Sequence, residues 1–83
     1  MIKLLYFASL RETLGVASEA AELPAGVDTT GALRAHLAAR GGVWEVFATS
    51  KSLRAAVNQA MVGPDAAVAN GDEVAFFPPV TGG

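Results

Sequence analysis

Apolar and polar positions alternate from the first residues. In an extended chain Ile2, Leu4 and Tyr6 share one face, and Lys3, Leu5 and Phe7 share the other. The charge on Lys3 makes the Ile2 face the better core candidate, so a strand over 1–7 is expected to leave Leu5 and Phe7 partly exposed. The spacing then changes. Leu10 and Leu14 stand four apart, which suits a short helical connector over 8–14 ended by Gly15. A second strand is expected over 19–23, broken by Pro24-Ala25-Gly26.

The main helix has clear limits. Thr29 is a suitable N-cap, Leu33 and Leu37 share a face, Arg40 sits near the negative end, and Gly41-Gly42 terminates it. Gly31 in the first turn weakens the helix slightly. Residues 43–49, with Trp44, Val46 and Phe47, read as one more helical turn that lids the core, Trp44 by packing. Residues 53–62 read as one strand, with Ala55, Val57, Gln59 and Met61 on a common face. Gly63-Pro64-Asp65 is a turn. Asn70-Gly71 is a tight-turn signal, because both residue types tolerate positive φ, and it feeds a last strand over 72–77.

Strand, strand, helix, strand, strand, with short helical connectors, predicts an α+β fold. Two strand pairs flanking one helix can bury it against a single mixed sheet, with the first and last strands adjacent at the centre. This is the β-grasp, or ubiquitin-like, arrangement. It divides the chain into a domain over 1–78 and a flexible C-terminal tail over 79–83 that leaves a central strand.

Composition narrows the chemistry. The chain has 83 residues, enough for one domain near the small end of what folds unaided. It is 52% hydrophobic and 17% charged, which favours a compact globule over disorder. Without cysteine there is no disulfide, thiolate nucleophile or thiolate metal site. A formal charge of −2 and no basic cluster in the sequence argue against nucleic acid. The apolar run over 4–10 is too short to span a membrane and lacks a cleavage site, so the expected location is cytoplasmic. His36 reads as a helix-surface residue, and Arg11 and Arg54 as surface arginines able to meet a partner. Asp72 and Glu73 point to opposite faces of a strand and make no acid/base pair. There is no glycine-rich phosphate loop. No metal or cofactor is expected on this chain, and no self-contained active site is visible.

The end of the chain is different. Gly82 and Gly83 have no side chains to bury, and ordering them is entropically costly. A diglycine is a thin tip that can be threaded into a narrow channel. Pro78 and Pro79 stiffen its approach by fixing φ and removing two amide donors. From Pro79 to Gly83 the tail can reach roughly 15 Å. A carboxylate reacts as an electrophile only after activation, for which ATP offers a mixed acyl-phosphate anhydride. A sulfur donor attacking that adenylate leaves a thiocarboxylate, whereas an amine leaves an amide. The diglycine alone does not separate a sulfur carrier from a protein modifier.

The run from Asn70-Gly71-Asp72-Glu73-Val74-Ala75 through Phe76-Phe77-Pro78-Pro79-Val80-Thr81-Gly82-Gly83 closely resembles the end of the small, sulfur-carrying subunits of molybdopterin synthases (the MoaD type). Ala56-Val57-Asn58-Gln59 resembles their strand motif, and Ile2 to Ala8 with Arg11-Glu12 resembles their start. The middle stretches, 16–28 and 41–51, carry no such motif.

The resemblance implies that Gly83 is adenylated by an E1-like activating enzyme, which uses the ATP, and converted to a thiocarboxylate. The tail, with Gly82, Thr81, Val80, Pro79 and Pro78, would then enter the large synthase subunit, in a heterotetramer. There its sulfur passes to a cyclic pyranopterin monophosphate, and two transfers build the dithiolene. Catalytic residues are expected on the large subunit, so this chain is its sulfur-donating, non-catalytic partner. The resemblance also implies an apolar docking patch, at positions Phe7, Met61 and Phe77. Two alternatives use the same tail: the sulfur carrier of thiamin synthesis, and a ubiquitin-like modifier conjugated through Gly83. The Phe76-Phe77-Pro78-Pro79-Val80 run favours the molybdopterin type over the thiamin type.

Overall fold

The computed structural model describes residues 1–79. Its strands are β1 (Ile2–Tyr6), β2 (Ser18–Ala21), β3 (Arg54–Val57), β4 (Ala60–Val62) and β5 (Glu73–Phe77). Its α-helices are α1 (Ala8–Leu14), α2 (Thr30–Ala38) and the single turn α3 (Val46–Thr49), which a 3-10 turn over Gly42–Glu45 precedes. The strands form one sheet in the order β2-β1-β5-β3-β4. β1 and β5 run parallel, and every other pair is antiparallel, so the sheet is mixed. β5, the last strand in sequence, holds the centre. No helix among the described residues is long and apolar enough to cross a membrane.

Alternation in β1 decides which side is buried. Ile2, Leu4 and Tyr6 are at most 2% exposed, and Val74 and Phe76 beside them are fully buried. Leu33 and Leu37 of α2, Leu10 of α1, and Phe47, Leu53 and Val68 complete the core. Thr29 caps α2 as expected, accepting the Ala32 N–H at 3.1 Å. Gly31 has a purpose there: a Cβ would meet the Pro64 carbonyl oxygen at 3.1 Å and Pro64 Cβ at 3.3 Å. Its absence lets α2 press against the loop, where Gly31 N–H reaches Pro64 O at 2.9 Å and Thr30 Oγ1 donates to Gly63 O at 2.7 Å.

One expectation is corrected. Residues 53–62 are not one strand but the hairpin β3–β4, and the sheet has five strands instead of four. The reversal occurs at Asn58-Gln59, whose φ angles are +50° and +71°. Positive φ at both centre positions is the requirement of a type I′ hairpin turn. Asn tolerates it and Gln does so rarely, which hides the turn from a sequence reading. The Asn70-Gly71 turn forms, but only Gly71 takes positive φ, at 93°.

Candidate functional site

The outer face of the sheet, opposite α2, gathers what the core leaves over. Register sets Leu5 beside Ala75, Ala75 beside Ala56, and Ala56 beside Met61, in one line across β1, β5, β3 and β4. Paired residues share a face, so all four point outward. Ala56 is buried yet stands apart from the core cluster, as its outward position requires. One step nearer the tail, Phe7 N–H donates to Phe76 O at 3.2 Å, which continues β1 alongside Phe77. Phe77 in turn pairs with Arg54.

Phe7 is 46% exposed and Met61 63%, while Phe77, Pro78 and Pro79 are half-buried. The three residues marked in the sequence as a docking patch therefore share one face, ending where β5 runs into Pro78-Pro79. Val80, Thr81, Gly82 and Gly83 lie outside the described residues. Isolated exposed hydrophobic residues are ordinary; here several fall on one sheet face beside the end of the last strand.

Two features that the sequence did not announce hold this face. Ala8 has φ +54°, a left-handed conformation that costs an L-residue about 1 kcal/mol. It turns the chain off β1 into α1 directly after Phe7, leaving Phe7 at the strand end. At the opposite edge Asn58 ties the β3–β4 turn to the start of β5. Its Nδ2 donates to Asp72 Oδ1 at 3.0 Å, and its Oδ1 accepts the Glu73 N–H at 3.0 Å. Asn58 N–H also reaches Glu73 O at 2.8 Å. Asp72 accepts the Ala69 N–H at 2.9 Å, and this bond together with that from Asn58 holds its carboxyl below the usual range. Asn58-Gln59 thus belongs to a turn and its anchor, not to a strand.

Behind the face Tyr6, Glu19, Arg40 and Trp44 form a network. Arg40 grips Glu19 through two nitrogens at 2.9 and 3.0 Å, and Tyr6 Oη donates to the same carboxylate at 3.0 Å. The Arg40 guanidinium lies 4.3 Å from the Trp44 ring centre. Hydrogen bonding from Arg40 pulls the Glu19 carboxyl below its ordinary range, and burial pushes the Tyr6 hydroxyl well above that of a phenol. Trp44 stacks on Phe47 and meets Tyr6 edge-on, so it packs as expected. These groups are spent on each other and are structural.

Other candidates join no cluster. His36 is exposed on α2, and Arg11 is exposed on α1, where its N–H donates to Phe7 O at 3.3 Å. Among the described residues no group of three or more His, Cys, Asp or Glu is placed to hold a metal ion.

Comparison with known proteins shows the family and the fold. The model described as the ThiS family matches residues 4–83, and the chain belongs to that family. Over 83 residues, the whole of both chains, it is 49% identical to the molybdopterin synthase sulfur carrier subunit of Escherichia coli (strain K12). Two solved structures share its ubiquitin-like β-grasp fold at a TM-score of 0.77. One is SAMP1, a small archaeal modifier protein of Haloferax volcanii, at 27% identity and covering 99% of this chain and 98% of that one. The other is a putative molybdopterin converting factor subunit 1 from Pyrococcus furiosus, at 32% identity and covering 95% and 97%.

Proposed function

We propose that this ThiS-family chain is the sulfur-carrier subunit of a molybdopterin synthase, with Gly83 as the carrying residue. One observation carries the reading: full-length identity of 49% to a carrier of that name, in a chain whose apolar face ends at the strand leading to Gly82-Gly83. That level of identity over the whole chain favours the molybdopterin branch of the family over the thiamin branch.

In the proposed cycle a Gly83 carboxylate oxygen attacks the α-phosphorus of ATP on an E1-like enzyme and pyrophosphate leaves. Sulfur from a donor then attacks the acyl carbon, AMP leaves, and a thiocarboxylate remains. The large subunit binds the Phe7–Met61–Phe77 face and takes the tail into its active site, where cyclic pyranopterin monophosphate receives the sulfur. Gly83 supplies sulfur and the large subunit supplies the acid and base groups. The tail suits this because neither glycine offers bulk or a competing nucleophile.

Intact mass after incubation with ATP, a competent activating enzyme and a sulfur donor is expected to show one oxygen replaced by sulfur in the C-terminal peptide. An unchanged mass would refute the reading. The likeness to SAMP1 favours a second use, conjugation of Gly83 to lysines of other proteins. Branched tryptic peptides carrying the tail residues on lysine would establish it, and the two uses are chemically compatible.

A further inference from the structure

The chain has no cysteine, so Met1 and Met61 hold the only sulfur atoms its side chains contain. Both residues are open to solvent to the same extent, 62% and 63%. Their positions differ. Met1 precedes β1, at the end of that strand opposite Phe7, whereas Met61 stands in the line of Leu5, Ala75, Ala56 and Met61 on the outer face. Local structure accounts for the exposure of Met61. β4 is an edge strand, so no strand lies beyond it. Its partner across the ladder is Ala56, whose methyl group is too short to cover a thioether, and Gly63 two positions along has no side chain.

An exposed thioether is a soft nucleophile that needs no neighbouring base to react. We propose that Met61 is a redox modification site, and that a hydroperoxide acting on the free chain converts it to the sulfoxide and closes the docking face to the large subunit. A sulfur lone pair attacks one peroxide oxygen, an S–O bond forms and the O–O bond breaks. The attacked oxygen passes its proton to the other, which leaves as water or an alcohol. Sulfur loses two electrons and the peroxide gains them. A methionine sulfoxide reductase reverses the step with two thiols, giving thioether, disulfide and water.

The new oxygen sits on the surface that the large subunit covers; this rests on the docking reading above, in which Met61 is buried together with Phe7 and Phe77. A sulfoxide is a hydrogen-bond acceptor, and covering it with apolar groups removes its water without returning a bond. The thioether carries no such penalty and adapts its shape to the partner. Folding is indifferent to the change, because Met61 is exposed and outside the core cluster. The complex covers the sulfur, so the free carrier is the form that is oxidised. A chain modified in this way keeps its fold and loses its partner.

The full chain is treated with hydrogen peroxide while Gly83 is the free carboxylate, so that no thiocarboxylate competes for the oxidant. The peroxide is removed, and peptide mass maps record sulfoxide at Met1 and at Met61. Calorimetry then measures affinity for the purified large subunit, and thermal melts check the fold. Each chain is compared with itself before and after treatment: the unmodified sequence, and Met61→Leu, in which Met1 is the only methionine left. Oxidation is expected to weaken binding about tenfold or more in the unmodified sequence and less than about threefold in Met61→Leu, with melting temperatures unchanged. Sulfoxide reductases for both epimers should restore the lost affinity. Full conversion of Met61 with unchanged affinity, equal losses in both chains, or a loss that the reductases do not reverse would overturn the site while leaving docking intact. Failure of the untreated chain to bind would overturn the docking reading and the site together.

Discussion

The Tyr6 hydroxyl and the Glu19 carboxylate meet at 3.0 Å across the β1–β2 edge, and Arg40 closes over the same carboxylate from the end of α2. One carboxylate therefore links the first two strands to the main helix. Its depressed pKa ties that link to pH. A group whose folded pKa lies below its unfolded value stabilises the fold above the unfolded pKa, and the stabilisation is lost as pH falls through the folded one.

Glu19→Gln is expected to lower stability at neutral pH by about 1 kcal/mol, modest because Glu19 and Arg40 keep 25% and 33% side-chain exposure. Thermal melts from neutral pH down through the carboxylate range should converge for the two proteins as acid removes the native advantage. Asp72 titrates in the same window in both, so the difference between the curves isolates Glu19. A difference that does not shrink on acidification would contradict the assignment.

The β3–β4 turn predicts two opposite effects. Gln59→Gly removes the strain of positive φ from a non-glycine residue and is expected to raise stability by about 1 kcal/mol. Asn58→Ala removes the bonds to Asp72 Oδ1 and from Glu73 N–H and is expected to lower it by about 1–2 kcal/mol. Urea midpoints read both, and shifts of the same sign would refute a type I′ turn.

Ala8 gives a prediction of strain. Ala8→Val places a β-branched residue at φ +54° and is expected to cost about 1–2 kcal/mol at an exposed position. Ala8→Gly should match or exceed the stability of the unmodified protein. If Val were tolerated as well as Gly in denaturant titrations, the left-handed turn after Phe7 would not exist.

Phe7→Ala is expected to change stability by less than about 1 kcal/mol, since the ring is half out of the fold, yet to weaken the large-subunit complex by about tenfold or more. Calorimetry and thermal melts on one preparation separate the two effects. A large stability loss with unchanged affinity would return Phe7 to the core.

Gly83→Ala and Gly82→Val are expected to depress sulfur transfer strongly while leaving the melting temperature unchanged. Single-turnover assays with the large subunit check this, and full activity would argue against insertion into a narrow channel.

Much of this was legible in the chain. Alternation over Ile2 to Phe7 separated the buried face from the exposed one because period two is a property of extended backbone, independent of neighbours. Thr29 announced the helix start for the same reason, its cap being a local bond. Asn58-Gln59 misled because its turn lacks the glycine that signals one. Only the pairing of Ala56 with Met61 and of Val57 with Ala60 reveals the reversal.

By itself the sequence determined the β1 core face, the capped helix and the diglycine end, since each depends on local pattern or on residue chemistry. Tertiary structure alone decided that Phe7, Met61 and Phe77 share a face and that Glu19 joins Tyr6 to Arg40. Those juxtapositions join separate elements of the chain, and their distances are set by strand register and by the close approach at Gly31. No local rule encodes them.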